Sequence, residues 1–179
     1  MKYDVFISYS RKDTKIVDEF VNRLESEGFR VWIDRDGIES GDAFKRVIVK
    51  AIKQAEKNTS GEIKVHIENH CKGNVEERSL FVFNRLKLNK TKLRNGVLIY
   101  LAVKDHKFAI LGDEGINKVV EDGFWNDVKD LMQSRFKENR FADGLEEGIM
   151  RCGEKLKNFF PYQSDDTNEI PDNISYENN

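Results

Sequence analysis

The sequence predicts an α/β fold built on a doubly wound, mostly parallel five-stranded sheet, with an antiparallel edge strand and helices on both faces. Three observations lead to it. Short apolar runs of strand length alternate with stretches of helical period from the start of the chain: residues 5–7, then 17–24, then 31–33. Residues 97–103 are an unbroken apolar run, the pattern of a strand covered on both faces. A polar tetrapeptide, residues 104–107, separates that run from a second apolar segment at 108–111, which is a hairpin pattern and so predicts an antiparallel pair.

Taken in order, Val5, Phe6 and Ile7 close on the polar residues 8–13, as a buried strand ending in a loop does. Val17, Phe20, Val21 and Leu24 then recur on one helical face, and Gly28 stands where a helix end needs a left-handed residue. Val31, Trp32 and Ile33 supply the next strand, completing a βαβ unit of about 30 residues whose strands run parallel. Residues 34–42 combine Asp34, Asp36, Glu39 and Asp42 with Gly37 and Gly41, an irregular loop before a helix over 44–57 that carries Phe44, Val47, Ile48, Ala51, Ile52 and Ala55.

Asn58 to Gly61 read as a turn. Ile63, Val65 and Ile67 alternate with polar partners, which predicts a half-buried strand over 62–68, and Leu80, Phe81, Phe83, Leu86 and Leu88 predict a helix after it. From Ile116 onward two helical faces follow, one through Phe124, Val128, Met132 and Phe136, the other through Phe141, Leu145, Ile149, Cys152 and Leu156. After Pro161 apolar residues thin out, and residues 163–179 are predicted to be a disordered tail because too little surface is buried to offset ordering entropy.

A lone βαβ unit exposes both sheet edges and needs a neighbour. Placing strand 62–68 beside the first strand makes helix 44–57 an ordinary crossover and gives the strand order 2-1-3-4-5. In such a sheet ligands gather outside the ends of the strands where the order reverses, here at residues 8–13 and 69–74.

Acids and bases nearly cancel, to a formal net charge of −2, so no strong global field draws the chain to nucleic acid or an anionic membrane. Cys71 and Cys152 lack both the spacing of a zinc site and the density of a disulfide scaffold, and are expected as free thiols in a reducing compartment. Residues 1–10 lack the pattern of a signal peptide and no apolar run approaches the roughly 18 residues of a membrane span, so a cytoplasmic location is expected.

The segment Tyr3-Asp4-Val5-Phe6-Ile7-Ser8-Tyr9-Ser10-Arg11-Lys12-Asp13, followed by Gly28-Phe29-Arg30-Val31-Trp32-Ile33-Asp34 and the loop 36–41, resembles the first half of a TIR domain. That likeness covers about residues 1–53. Beyond it, Ala55-Glu56-Lys57-Asn58-Thr59-Ser60-Gly61-Glu62-Ile63, Asn95-Gly96-Val97-Leu98-Ile99-Tyr100-Leu101, Phe108-Ala109-Ile110-Leu111-Gly112-Asp113, Gly115-Ile116 and Phe160-Pro161 stand in the order of a TPM domain. The TPM resemblance covers about 44–161, so the two share helix 44–57. This implies a TIR-like half-module over 1–53, a TPM-like α/β domain over 54–162 and a tail, in a protein of bacterial type.

The TIR resemblance implies signalling by protein–protein contact or self-association, with Ser8, Ser10, Arg11, Asp13, Trp32, Asp34, Asp36, Gly37 and Gly41 in the contact or ligand loops. Some TIR proteins cleave NAD with a glutamate on a helix after the third strand. Here that region is replaced, and Glu76 and Glu77 are the only acids in an analogous stretch, read as surface acids at a helix start. No NAD cleavage is expected, with residual NAD glycohydrolase activity through Glu76 or Glu77 as the second alternative. The TPM resemblance implies phosphatase-like chemistry or calcium binding as the alternative, with Asp113 and Glu114 as candidate oxygen ligands beside Gly112 and Gly115. No cofactor is required on either reading, NAD and calcium being the candidates.

The remaining polar groups read as structure. The acids of loop 34–42 lack EF-hand spacing, and His66, His70 and His106 lack a second ligand at helical spacing and read as surface or strand residues. Lys87, Lys90, Lys92 and Arg94 form a basic stretch without interleaved aromatics, a loop rather than a nucleic-acid surface.

Overall fold

The computed structural model describes residues 4–8, 14–29, 31–34, 42–138 and 140–177. The chain divides into two compact units, residues 1–44 and 45–179. In the first, strand β1 (Val5–Ser8) pairs in parallel with β2 (Val31–Asp34), Val5 opposite Val31 and Ser8 opposite Asp34. Helix α1 (Thr14–Ser26) makes the crossover, as its period predicts. Val21 is buried, and Gly28, at φ +90°, lets the chain leave the helix while the Phe29 N–H still reaches the Leu24 carbonyl.

Helix α2 (Asp42–Glu56) follows and contains the division between the units. The second unit then continues with β3 (Glu62–Glu68), α3 (Val75–Arg85), a 3₁₀ turn at Leu88–Lys90, β4 (Gly96–Ala102), β5 (Lys107–Gly112), α4 (Glu114–Asn117), α5 (Asn126–Lys137), α6 (Phe141–Leu156) and β6 (Ser175–Glu177). Its sheet has four strands in the order β5-β4-β3-β6. β3 runs parallel to both β4 and β6, and the β4–β5 hairpin is the antiparallel edge, as its sequence pattern predicts.

Three expectations are corrected here. The chain does not build one five-stranded sheet of order 2-1-3-4-5, because β1 and β2 form a two-stranded sheet and β3 already has a neighbour on each side. The switch-point mouth between the first and third strands is therefore not formed. Residues 163–179 are not a disordered tail, since the described part of this segment runs back to the sheet, buries Ile170 and Ile174, and ends as the strand beside β3. Finally, β3 is buried on both faces over all seven residues, not half-buried.

Strand alternation sends Ile63, Val65 and Ile67 of β3 and Val97, Ile99 and Leu101 of β4 to one face, where α6 packs against β3. On the opposite face Leu98, Tyr100 and Ala102 form a cluster with Val82 and Phe83 of α3, with Leu88, Cys71 and Ile170. Both β3 and β4 are thus sandwiched, which fits the unbroken apolar run of β4. Helix α6 lies close to its neighbours through three glycines, Gly144, Gly148 and Gly153. A Cβ on Gly148 would stand 2.6 Å from the Met132 side chain of α5, and one on Gly153 would stand 2.7 Å from Ala55 Cβ and 2.9 Å from its carbonyl oxygen in α2.

Met132 can swing aside, whereas the α2 backbone cannot. Gly153→Ala is therefore expected to destabilise the fold by about 1–3 kcal/mol through overpacking, outweighing the roughly 1 kcal/mol that alanine ordinarily gains over glycine in a helix. Urea denaturation checks this, with Gly148→Ala expected to cost less.

Candidate functional site: the charged face of β3

The sequence of β3 is Glu-Ile-Lys-Val-His-Ile-Glu, so its period of two puts Glu62, Lys64, His66 and Glu68 on one face. All four are buried, His66 and Glu68 completely. Buried ionisable groups persist only with partners, and here most of the partners come from residues 169–177. The Glu62 carboxylate accepts the backbone N–H groups of Glu169 and Ile170, both at 3.0 Å. Lys64 Nζ donates to the carbonyls of Pro171 (2.5 Å) and Asn173 (2.6 Å) and to the Asn173 side chain (2.6 Å). His66 Nδ1 pairs with Ser175 Oγ at 3.0 Å.

Glu68, at the carboxyl end of β3, is held from α3 and β4. Arg78 donates to both its oxygens, Nε at 2.9 Å and Nη2 at 2.6 Å, in the bidentate geometry that guanidinium and carboxylate favour. The Tyr100 hydroxyl donates a short third bond. The same Arg78 reaches Glu177 of β6 at 2.9 Å, and Arg85 and Lys72 meet that carboxylate at 2.5 and 3.5 Å. The His66 ring stacks on Tyr100, centroids 5.9 Å apart, and its Nε2 is buried without a hydrogen-bond partner.

This packing decides the protonation states. Burial would raise the Glu68 carboxyl, but the bonds from Arg78 and Tyr100 outweigh it and hold Glu68 below its usual range. The bond from Arg85, with the nearby Arg78, holds Glu177 down at about 2. Burial drives His66 down to about 4, so it is neutral at pH 7. Burial also pushes Glu62 up to about 7, against the pull of its two N–H donors, and Glu56, which accepts the Ile63 N–H at 2.8 Å, up to about 8.

His66, Glu68 and Glu177 bring ligand atoms within 4.8 Å of one another, which among the described residues is the grouping suited to a metal ion. The Arg78 guanidinium bridges its two carboxylates, so the position a cation would take between them already carries a positive charge. What the arrangement does chemically is grip an extended segment: Glu62 reads backbone N–H groups, Lys64 reads carbonyls, His66 a hydroxyl and the three cations a carboxylate.

The residues singled out from sequence lie elsewhere. Ser8 ends β1, and Trp32 and Asp34 lie on β2, while Ser10, Arg11, Asp13, Asp36, Gly37 and Gly41 fall outside the described residues. Glu76 and Glu77 are exposed in the first turn of α3, where Asn74 Oδ1 caps their N–H groups at 2.7 and 3.4 Å, the position that suits acids at a helix start. Asp113 is buried against Arg94, which donates to both its oxygens at 2.7 and 3.0 Å, and Glu114 pairs with Lys118 at 2.7 Å. These acids close a turn with basic partners. Asp105 fastens the loop after β3, accepting the Cys71 N–H at 2.7 Å and pairing with His70 at 2.8 Å. Asn58 to Gly61 form a turn bonded to Phe160.

Comparison with known proteins agrees with this architecture. The TPM domain family matches residues 41–155. The chain belongs to the TPM family. The NMR structure of BA42 from the psychrophilic bacterium Bizionia argentinensis is 47% identical, with a TM-score of 0.73 over 76% of this chain and 94% of that one. The N-terminal domain of a P. gingivalis protein shares the fold at 19% identity, TM-score 0.56, over 68% of this chain and 78% of that one. The N-terminal domain of cg2496 from Corynebacterium glutamicum does so at 13% and 0.53, over 65% and 74%. Ahead of the TPM domain, residues 5–58 match the TIR domain family. A probable 2′ cyclic ADP-D-ribose synthase, TcpO of Methanobrevibacter olleyae, is 40% identical over 55 residues, 30% of this chain and 16% of that protein. The chain thus spans about a sixth of that relative's length. Among the described residues no helix is long and apolar enough to cross a membrane.

Two predictions follow from the charge network. Arg78→Ala leaves Glu68 buried and stripped of its counter-charge and is expected to destabilise the TPM domain by about 3–5 kcal/mol, whereas Arg85→Gln, at an exposed pair, costs about 1 kcal/mol or less. Urea denaturation separates the two. Stability is also expected to peak near pH 4.5, the ordinary glutamate value, because above it two glutamates lose stability while only His66 gains it. Glu62 and Glu56 have raised values, so their contribution is complete below 4.5 and is lost as pH rises through 7 and 8. The lowered values of His66 and Glu177 give contributions present above 6.5 and 4.5 that are lost as pH falls through about 4 and 2. Denaturation midpoints from pH 3 to 9 measure this, and Glu62→Gln is expected to flatten the alkaline side alone.

Proposed function

We propose that the chain is a signalling or interaction protein in which the TIR-like segment provides association with protein partners or with further copies, without cleaving NAD and without a cofactor. The observation that carries this reading is the fate of the third strand. In a TIR enzyme the glutamate that engages NAD stands on a helix after a strand of the TIR sheet, but here that strand pairs with β4 and β6 of the TPM sheet. Glu76 and Glu77, on the helix that follows, are solvent-facing acids at a capped helix start.

Association is supported by the first unit's own surface. Its two-stranded sheet is too small to be independently stable, and Ile16, Phe20 and Phe29 stand 71, 54 and 45% exposed. The TcpO relative is 40% identical over 55 residues, 16% of that protein, so the synthase activity in its name is not carried over. On the TPM side, the acids suited to calcium are engaged by Arg94 and Lys118.

Two measurements test the reading. Purified protein incubated with NAD is expected to consume it no faster than a protein-free blank, and light scattering after size-exclusion chromatography is expected to give a mass above the 20.9 kDa of one chain as concentration rises. Steady NAD turnover abolished by Glu76→Ala or Glu77→Ala overturns the first half. A strict monomer that recovers no partner overturns the second.

A further inference from the structure

The segment that covers the charged face of β3 is held like a ligand. It contributes a three-residue strand to the edge of a seven-residue one. Most of its remaining attachment is polar: side chains of β3 grip its backbone and Ser175, and Arg78, Arg85 and Lys72 converge on Glu177. A strap that served stability alone would be held as well or better by apolar packing, since buried charges gain little net energy over apolar residues of the same size. Reading a backbone by alternate side chains, with a charged pocket at one end, is how a sheet edge recognises an added strand.

The charges say which strand fits. With Glu177 in place, Lys72, Arg78 and Arg85 face two carboxylates, Glu177 and Glu68. Without it they face Glu68 alone, and an excess of positive charge is left around a buried guanidinium. Any replacement must bring an acidic side chain to this point and a hydroxyl two residues before it, opposite His66, whose remaining ring nitrogen is unpartnered. Residues 157–174, which lead to β6, contain no helix or strand, so release of the segment would unpair no other element and would withdraw the buried side chains of Ile170 and Ile174.

We propose that this edge of β3 is a docking groove for an extended acidic peptide of a partner protein, of the pattern hydroxyl residue, any residue, acidic residue, and that the chain's own residues 169–177 occupy it in the free protein. The occupant in cis has the advantage of high effective concentration, so the groove opens to a partner only in competition with it.

The test uses the full chain and a fluorescein-labelled synthetic peptide of residues 168–179 as probe. Ser175→Pro removes the hydroxyl and a backbone N–H from the covering strand and weakens the occupant in cis. With the fold checked by circular dichroism, this variant is expected to bind the probe at least about tenfold more tightly than the parent chain. A probe carrying Glu177→Gln, which loses all three cations, is expected to lose about tenfold or more of that binding, and protein that also carries Arg85→Gln about threefold. Should Ser175→Pro not fold, Glu177→Gln in the protein leaves the backbone intact and is expected to favour the probe in the same direction. No binding to either folded variant, or binding indifferent to the glutamate and to Arg85, overturns the proposal. A parent chain that runs as a dimer and is converted to monomer by the probe overturns the separate partner and assigns the groove to a second copy.

Discussion

Four ionisable side chains on one face of a fully buried strand are the constraint around which the TPM domain is arranged. Glu62, Lys64, His66 and Glu68 lie where an α/β sheet ordinarily carries valine and isoleucine, and each requires a polar partner in a place that water does not reach. Helix α3 supplies Arg78 to one of them, β4 supplies Tyr100, and the C-terminal segment supplies the rest. The strand order, the route of the chain after α6 and the closed edge of β3 all follow from meeting that need.

The same constraint explains why two parts of the chain remain separate sheets. A βαβ piece with open edges would join any free neighbour, but β3 offers none, since β4 stands on one side and β6 on the other. Local pairing of β1 with β2 is what remains available.

Much of the fold was legible because hydrophobic period is a local property. The βαβ unit, the β4–β5 hairpin, the helix over 44–57 and the two long helices near the C-terminus follow from runs and repeats that need no partner to be seen. The site was not legible for the same reason. The alternation of Ile63, Val65 and Ile67 with polar residues looks identical whether the polar side faces water or faces arginine, and only the tertiary pairing tells the two apart. Residues 163–179 carry few apolar groups, so their order depends on hydrogen bonds to β3 that composition cannot register, and Glu177 looks like one more acid in a polar tail. A usable signal was present in the number of charged residues within β3 itself, set between β-branched neighbours that demanded burial. By contrast, the helix-start reading of Glu76 and Glu77 rests on a local cap, Asn74, and was legible.

Helix α2 belongs to both families' territory: the TIR match ends at residue 58 and the TPM match begins at 41. The TPM sheet is completed by β6, a strand of the same compact unit, so its strand order does not depend on β1 or β2. An N-terminal module can therefore be exchanged by recombination within α2 provided that Ile48, Ala51, Ile52 and Ala55 keep their spacing, leaving the downstream domain as a stable chassis on which different input modules are mounted over evolutionary time.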